Sequence, residues 1–211
     1  IYAGGISYTV TGSGYDPGGE ILHQDRAVDL DQAAPLRECL ECGLLCNDSH
    51  IQEQDGQLVV VGDPTEGALI VSAQKGGLTL ADLEQTQSRL DGIPFESEFQ
   101  YMATLHQRSG DDFNTIYIKG SAEAILQRCR YQLDANGRSI DLNRSQIEQI
   151  MHEMAAQGLR VLAFAKQEIS SSQRQIERAD IDSAERRLRQ RDPILLGLQG
   201  MIDPPRTEAI A

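Results

Sequence analysis

Short strand-like segments, many joined by tight turns, alternate along the chain with segments of helical period. Strand-like patterning marks residues 6–11, 51–61, 102–108, 114–118, 159–165 and 194–198. Helical spacing marks residues 31–45, 64–76, 79–90 and 147–155, and residues 168–192 are predicted to be a solvated loop and helix. Hairpin-linked strands pair antiparallel, and amphipathic helices bury their apolar side against a sheet. We therefore predict an α+β fold, a largely antiparallel twisted sheet flanked by helices.

Residues 63–66 carry several agreeing signals for the start of a helix. Asp63 is a preferred N-cap residue, Pro64 is well tolerated at the first helical position, and Glu66 follows three residues after the cap. Glycine at residues 76–77 can end the helix. The pattern predicts a capped helix with an acidic first turn.

The chain is strongly acidic, with 19 Lys and Arg against 32 Asp and Glu and a formal net charge of −13. Nucleic acids and anionic lipids are bound mainly by cationic patches, so this charge argues against both as partners. It also repels anionic small molecules at long range, so a site for such a ligand would need local positive charge or contacts that do not depend on charge. Only three lysines occur (Lys75, Lys119 and Lys166), which makes a lysine within a motif unusually informative.

No apolar run approaches the ~20 residues that a membrane-spanning helix needs. No basic segment followed by an apolar stretch opens the chain, so no signal peptide is visible. The chain begins at Ile1 without an initiator Met and ends at Ala211 in the middle of a pattern. We expect it to be a fragment of a longer protein.

Three of the four cysteines lie close together, with a histidine beyond them, at Cys39, Cys42, Cys46 and His50. This arrangement suggests zinc, but the cysteine spacing also follows the buried stripe of a helix. On a helix Cys39 and Cys46 would be about 10 Å apart, too far to share one ion with bonds of about 2.3 Å. We predict core thiols and no metal site.

Common phosphate-binding and hydrolytic motifs are absent from the sequence. It has no GxxxxGK[ST] loop, its early glycines fail the dinucleotide fingerprint, and the pair His152-Glu153 lacks the second histidine of a zinc protease. Any functional site must therefore be identified from other segments of the sequence.

Six short segments occur in an order that is specific as a set. They are Cys46-Asn47-Asp48, residues 62–69 (Gly-Asp-Pro-Thr-Glu-Gly-Ala-Leu), Pro94-Phe95-Glu96-Ser97 with Met102, residues 119–123 (Lys-Gly-Ser-Ala-Glu), residues 158–163 (Gly-Leu-Arg-Val-Leu-Ala) and Asp203-Pro204-Pro205-Arg206. This series resembles the nucleotide-binding domain of the P-type cation-transporting ATPases, closest to the type II group that includes calcium pumps. The resemblance extends from about residue 36 to residue 206.

The resemblance implies that Phe95 stacks on adenine and that Lys119 supplies positive charge in the same pocket. Base stacking on an aromatic ring contributes about 1–3 kcal/mol without requiring positive charge, which suits an acidic domain. Gly120, which has no Cβ, would let the backbone approach the ligand closely. The alternatives are a core Phe95 and a solvent-exposed Lys119 at a strand end.

The resemblance also assigns Thr65, Glu66 and Arg160 to the ATP site. Glu66 would accept a hydrogen bond from the adenine amino group, although its place in a capped helix also explains it. Arg160 would reach the phosphates. An arginine in a buried strand is otherwise unfavourable without a partner, so the alternative for Arg160 is a salt bridge.

Gln100 departs from the family pattern, which commonly has a basic residue at this place. We include Gln100 in the predicted ATP site, which loses one cation there and gains Glu98 nearby. Asp203-Pro204-Pro205-Arg206 matches the hinge that returns the chain to the phosphorylation domain, and its two prolines would stiffen the exit.

The resemblance implies one nucleotide-binding domain over residues 1–211, with residues 1–30 and 200–211 as junctions to a phosphorylation domain outside the chain. The nucleotide-binding domain would be cytoplasmic in an integral membrane pump, hold ATP by its base and deliver the γ-phosphate to an aspartate of the phosphorylation domain. Its partners would be ATP and the phosphorylation and actuator domains, with Mg²⁺ needed only in the whole pump. The catalytic aspartate is not expected here, since no D-K-T-G-T sequence occurs.

Two other functions remain open at this point. The chain could belong to a stand-alone nucleotide-binding regulator without catalysis. It could also be an interaction domain that has lost its ligand, an alternative that the missing cation at Gln100 favours.

Overall fold

In the computed structural model, which describes residues 1–54, 56–108, 110–182 and 192–202, a nine-stranded sheet forms the centre of the fold. The strands are β1 (Tyr2–Ala3), β2 (Ile6–Ser7), β3 (Thr9–Val10), β4 (Ile21–His23), β5 (Arg26–Ala27), β6 (His50–Gln54), β7 (Gln57–Val61), β8 (Gln87–Glu96), β9 (Tyr101–Arg108), β10 (Phe113–Ser121), β11 (Tyr131–Leu133), β12 (Ser139–Asp141), β13 (Leu159–Ser170) and β14 (Ile194–Ile202). The helices are α1 (Ala34–Leu45), α2 (Pro64–Lys75), α3 (Leu80–Glu84), α4 (Ala122–Arg128), α5 (Arg144–Ala156) and α6 (Arg178–Asp182), with a short 3-10 helix at Leu30–Gln32.

The central sheet runs in the order β12-β11-β14-β13-β10-β9-β8, and β1 and β2 extend from β14. Its pairings are antiparallel, apart from the parallel contact between β11 and β14. Strands β3, β4 and β5 form a small separate sheet, and β6 and β7 form the hairpin predicted for residues 51–61. The predicted α+β class with a largely antiparallel sheet is confirmed.

Both faces of the sheet are covered by helices, and each face has its own core. Strand side chains alternate between the two faces, so Tyr117 lies in one core while its neighbours Ile116 and Ile118 lie in the other. The first core packs α1 and α2 on the sheet, and the second packs α4 and α5. Within the described residues, no helix is both long and apolar enough to span a bilayer.

The predicted helix over residues 79–90 is wrong in its second half. Helix α3 ends at Glu84, and β8 begins at Gln87. Residues 87–96 pair with β9, which supplies hydrogen-bond partners for their backbone, and Gln87 is only 2% exposed. The long antiparallel ladder overrides the local helical spacing.

The predicted solvated segment over residues 168–192 is also partly wrong. Strand β13 continues to Ser170, and the side chains of Ile176 and Ile181 are buried. Residues 183–191 lie outside the described residues. The last strand extends beyond the predicted residue 198, to Ile202, because it pairs with the whole start of β13.

The cysteines lie in the core, as predicted. Cys39, Cys42 and Cys46 have no exposed surface, and burial raises the pKa of the Cys39 thiol to about 12. The Cys42 thiol contacts the carbonyl oxygens of Ile118 and Ala165, where it bridges β10 and β13. These three residues are packing groups between α1 and the sheet.

Candidate functional site

Most of the predicted site residues lie at one end of the central sheet, where four adjacent strands begin or end. Glu96 at the end of β8 is opposite Tyr101 at the start of β9, and Tyr101 is opposite Gly120 near the end of β10. Gly120 is in turn opposite Ala163, close to the start of β13. The antiparallel register therefore assembles segments that are far apart in sequence.

Phe95 is presented to solvent at an irregular part of β8. The pairing of β8 with β9 shifts register between Ile93 and Glu96, which inserts an extra residue next to Pro94. Proline is tolerated at such a place because it has no N–H to donate to the ladder. The Phe95 side chain is 57% exposed, so the alternative of a core phenylalanine does not hold.

Lys119 and Glu66 form a buried ion pair beside this end of the sheet. The Lys119 Nζ lies 2.7 Å from Glu66 Oε1, and the two side chains are 6% and 14% exposed. Glu66 Oε2 also accepts from the Ser49 hydroxyl at 2.6 Å and from the Asp48 N–H at 3.2 Å. Such additional bonds offset the cost of removing two charges from water. Lys119 is therefore not a solvent-exposed strand-end lysine.

Glu66 reaches this pair because α2 begins as predicted. Asp63 caps the helix, accepting from the N–H groups of Thr65 at 2.7 Å and Glu66 at 3.3 Å. Burial alone would raise the pKa of Asp63, but these bonds, one from the Thr65 hydroxyl and the charge of Arg160 together lower it. Glu66 does not reach back to the cap, since the Asp63 N–H donates to Ser49 Oγ instead.

Arg160 occupies an exposed position, contrary to the prediction of a buried one. It lies near the start of β13, on the same sheet face as Phe164, which is the cross-strand partner of Lys119. Arg160 is also near enough to Asp63 to affect its pKa. In the part of the chain that the structure describes, Arg160 takes part in no ion pair. The alternative of a salt bridge therefore finds no support.

Packing within the sheet requires glycine at position 120. A Cβ at this position would be 2.3 Å from the Gln100 carbonyl oxygen and 2.7 Å from Tyr101 Cβ. The strand pairing itself excludes a larger residue. The backbone of Gly120 lies close to β9, whereas the prediction was a close approach to a ligand. A contact between Gly120 and a nucleotide stays a prediction.

Gln100 closes the turn between β8 and β9, and its backbone has a positive φ of 57°. Its carbonyl accepts from the Ser121 N–H at 2.9 Å, and its side-chain oxygen accepts from the Ser121 hydroxyl at 3.1 Å. The side chain is thus engaged with the end of β10. The predicted hinge, Asp203-Pro204-Pro205-Arg206, lies outside the described residues.

Two residues of this region were not anticipated. Ser49 bridges Glu66 and Asp63, and it directly follows the Cys46-Asn47-Asp48 segment that marked this part of the sequence. Arg178 binds Glu96, next to Phe95. It lies in a segment without a recognisable pattern, so no sequence signal could have identified it.

Comparisons with known proteins agree with this architecture. A family model of the P-type ATPase cytoplasmic domain N matches residues 35–208. Cation-transporting ATPase pma1 of Synechocystis sp. is 49% identical over 216 residues, which cover 100% of this chain and 23% of that protein. The calcium-transporting ATPase of Bacillus subtilis is 32% identical over 210 residues, which cover 99% of this chain and 22% of that protein.

A third relative likewise matches most of this chain with a small part of its own length. Probable cation-transporting ATPase F of Mycobacterium tuberculosis is 35% identical over 200 residues, covering 94% of this chain and 21% of that protein. The chain therefore spans less than a quarter of the length of these curated relatives. With a family model matching residues 35–208 and relatives that are 32–49% identical over nearly the whole chain, the chain belongs to the family of the P-type ATPase cytoplasmic domain N.

Proposed function

We propose that this domain binds ATP with the adenine base stacked on Phe95, and that it carries the γ-phosphate to an aspartate of a neighbouring domain in a cation pump. The observation that carries the proposal is the exposure of Phe95 at the strand ends that also bear Lys119 and Arg160. An apolar ring that is 57% exposed gains by being covered, and a base is a suitable planar partner.

The charges of the region favour a site that depends mainly on the base. The chain has a formal net charge of −13, and Lys119 is already balanced by Glu66. Arg160 is an exposed cation on the same sheet face as Lys119 and, among the described residues, takes part in no ion pair, so it is the group that we assign to the phosphates. Stacking does not depend on charge, so it can provide most of the affinity.

Glu66 would select adenine over guanine in this arrangement. Its oxygens accept from Lys119, Ser49 and Asp48, but a carboxylate has about four lone-pair sites and can accept a further bond. The exocyclic amino group of adenine is a donor, whereas guanine has an acceptor oxygen at that position. We expect Thr65, in the same helical turn, to line the pocket with Glu66.

The proposed role in the whole protein follows from the relatives, which are named as cation-transporting and calcium-transporting ATPases. Phosphoryl transfer depends on positioning and charge neutralisation, so one domain can hold ATP while another supplies the nucleophile. The aspartate and the groups that bind Mg²⁺ would then belong to the phosphorylation domain. Asp203-Pro204-Pro205-Arg206 would lead the chain back to it.

The first test is Phe95→Ala. Loss of the ring should weaken ATP binding by about 1–3 kcal/mol, the usual contribution of stacking one base. Because Phe95 is largely exposed, the variant should keep its fold, which circular dichroism and a thermal melt can verify. Binding is measured by calorimetry or by NMR titration.

Ile140→Ala provides a matched control for this test. Ile140 is 42% exposed, but it lies on β12, at the opposite edge of the sheet from β8. Its substitution removes a similar exposed apolar side chain and should leave ATP affinity unchanged. A folded Phe95→Ala protein that binds ATP as tightly as the wild type would contradict the proposal. Equal losses in both variants would indicate a general effect of surface truncation and would also count against it.

A further inference from the structure

Arg178, the first residue of α6, binds both neighbours of Phe95. One guanidinium nitrogen, Nη2, donates to Glu96 Oε1 at 2.6 Å and lies 3.4 Å from the Pro94 carbonyl oxygen. The guanidinium carbon is 4.0 Å from the centre of the Phe99 ring, within the range of a cation–π contact. A single side chain from a distant segment therefore contacts β8 before and after the exposed ring, together with the turn that follows.

Helix α6 gives Arg178 a fixed base. Asp182, at the other end of this helix, accepts from the Tyr101 hydroxyl at 2.9 Å and from Arg128 Nε at 2.6 Å. The Arg128 guanidinium lies over the Tyr101 ring at 4.3 Å, and Ile181 has no exposed surface. These contacts attach α6 to the start of β9. The start of β9 pairs with the end of β8, which carries Phe95.

Phe95 needs such support because its own strand provides little. Strand β8 is at the edge of the sheet, and its pairing is irregular between Ile93 and Glu96. An exposed side chain on an irregular edge has conformational freedom that a ligand must remove on binding, at a cost in affinity. Contacts that hold the backbone on both sides of the ring before the ligand arrives reduce this cost.

We propose that Arg178 is a positioning residue for the base-stacking platform: it fixes the backbone around Phe95 in the conformation that accepts the adenine ring. The inference rests on the proposed function, because it assumes that Phe95 stacks on a base. Arg178 acts through Phe95 and does not contact the nucleotide, since Nη2 is bonded to Glu96 and Pro94 and Nη1, although it has no hydrogen-bond partner among the described residues, is buried.

The test compares Arg178→Ala with the wild type, using adenosine and ATP as ligands. Loss of preorganisation of one side chain should weaken both by about three- to tenfold. The loss should be the same for the two ligands, because the base is common to both. Arg174→Ala is the matched control: it removes the same charge from the same segment, but Arg174 donates to Gln107 and lies away from the turn.

A double variant tests whether Arg178 acts through Phe95. In a Phe95→Ala background the platform is absent, so adding Arg178→Ala should cause no further loss of adenosine binding. A purely structural role would lower affinity to the same extent in both backgrounds. Arg178→Lys keeps the charge beside Glu96 but loses the planar donor arrangement, so its affinity should be intermediate.

A second pair of measurements covers the case in which Arg178→Ala does not fold. Glu96→Gln removes the other partner of the ion pair at a side chain that is 53% exposed, and it should weaken adenosine binding in the same direction. Fluorine-labelled phenylalanine gives one signal for each of the four phenylalanines. The Phe95 signal of the ligand-free protein should change its linewidth in Glu96→Gln, while the signal of the buried Phe164 should not.

The outcomes separate this inference from the proposed function. If Phe95→Ala leaves ATP affinity unchanged, the proposed function fails. If Phe95→Ala weakens binding but neither Arg178→Ala nor Glu96→Gln does, only the positioning role is overturned. A loss in Arg178→Ala that is much larger for ATP than for adenosine would also overturn it, because Arg178 would then contact the phosphates directly.

Discussion

His106 illustrates how the sheet imposes a protonation state on a single residue. The side chain is 2% exposed on β9, with Nε2 2.9 Å from the Thr104 hydroxyl and Nδ1 3.4 Å from the Gln87 carbonyl oxygen. Burial lowers the pKa of His106 from 6.5 to about 4, with a smaller opposing effect from the Gln87 carbonyl. Between about pH 4 and pH 6.5 the imidazole is therefore mainly neutral in the folded protein and mainly charged in the unfolded chain.

This shift predicts a pH-dependent stability. Between pH 6.5 and pH 4 the unfolded chain binds more protons at His106 than the folded one, so the free energy of unfolding falls as the pH falls. The contribution is fully present above the unfolded pKa, and up to roughly 3 kcal/mol is lost on acidification. Urea denaturation at several pH values should show a shallower decline in His106→Gln than in the wild type.

His152→Gln is the control for this prediction. His152 is exposed on α5, so this variant also removes one histidine but leaves the buried imidazole of His106 in place. Equal declines in the wild type and in His106→Gln would show that His106 is already able to accept a proton within the fold.

Helix α2 is the element that connects local sequence signals to the site. Asp63 caps it, Pro64 occupies its first position, and beyond its end Gly77 adopts a positive φ of 81°. A helix that starts at this residue carries Glu66 into contact with Lys119 on β10. The cap therefore supports both the stability of the helix and the position of the buried carboxylate.

Asp63→Ala should lower the free energy of unfolding by about 1 kcal/mol, the usual cost of removing an N-cap acceptor. Asp63→Asn keeps an acceptor oxygen without the charge and should retain most of the stability. Chemical denaturation measures the free energy of unfolding of both variants. The comparison is valid if the slope of this free energy against denaturant concentration is the same as in the wild type. An Asp63→Ala protein as stable as the wild type would show that the two bonds to the first turn contribute nothing.

At the scale of the whole molecule, the charge distribution determines what kind of nucleotide binding is expected. A formal net charge of −13 repels polyphosphates, and the candidate site has an exposed ring but few cations. The base should then provide most of the affinity, with the phosphates contributing little. The same reasoning makes weak binding the expected property of the 211-residue chain.

The chain should bind ADP about as well as ATP, bind GTP more weakly, and respond little to Mg²⁺. It should not release phosphate steadily, because the proposed nucleophile belongs to another domain. Calorimetry with the three nucleotides, with and without Mg²⁺, and a phosphate-release assay measure these properties. Tight and strictly Mg²⁺-dependent binding would point to a phosphate-cradling site and contradict the proposal. Turnover that a substitution within the chain abolishes would reveal a catalytic site.

The sequence by itself determined the features that depend on neighbouring residues. The capped start of α2, the β6–β7 hairpin and the buried cysteine stripe of α1 follow from spacing and local chemistry over a few residues. The ordered motifs also indicated the family that the comparison supports. In these cases the information lies within one turn or one element, so a reading of the chain can recover it.

Only the tertiary structure decided the features that depend on strand register and close packing. Glu66 and Lys119 are 53 residues apart, and Arg178 and Glu96 are 82 residues apart, so no local period indicates either pair. Residues 87–90 became strand because β9 offered a ladder, and Gly120 is required because β9 approaches so closely. Such contacts depend on which segments the fold brings together, and that is a property of the assembled sheet.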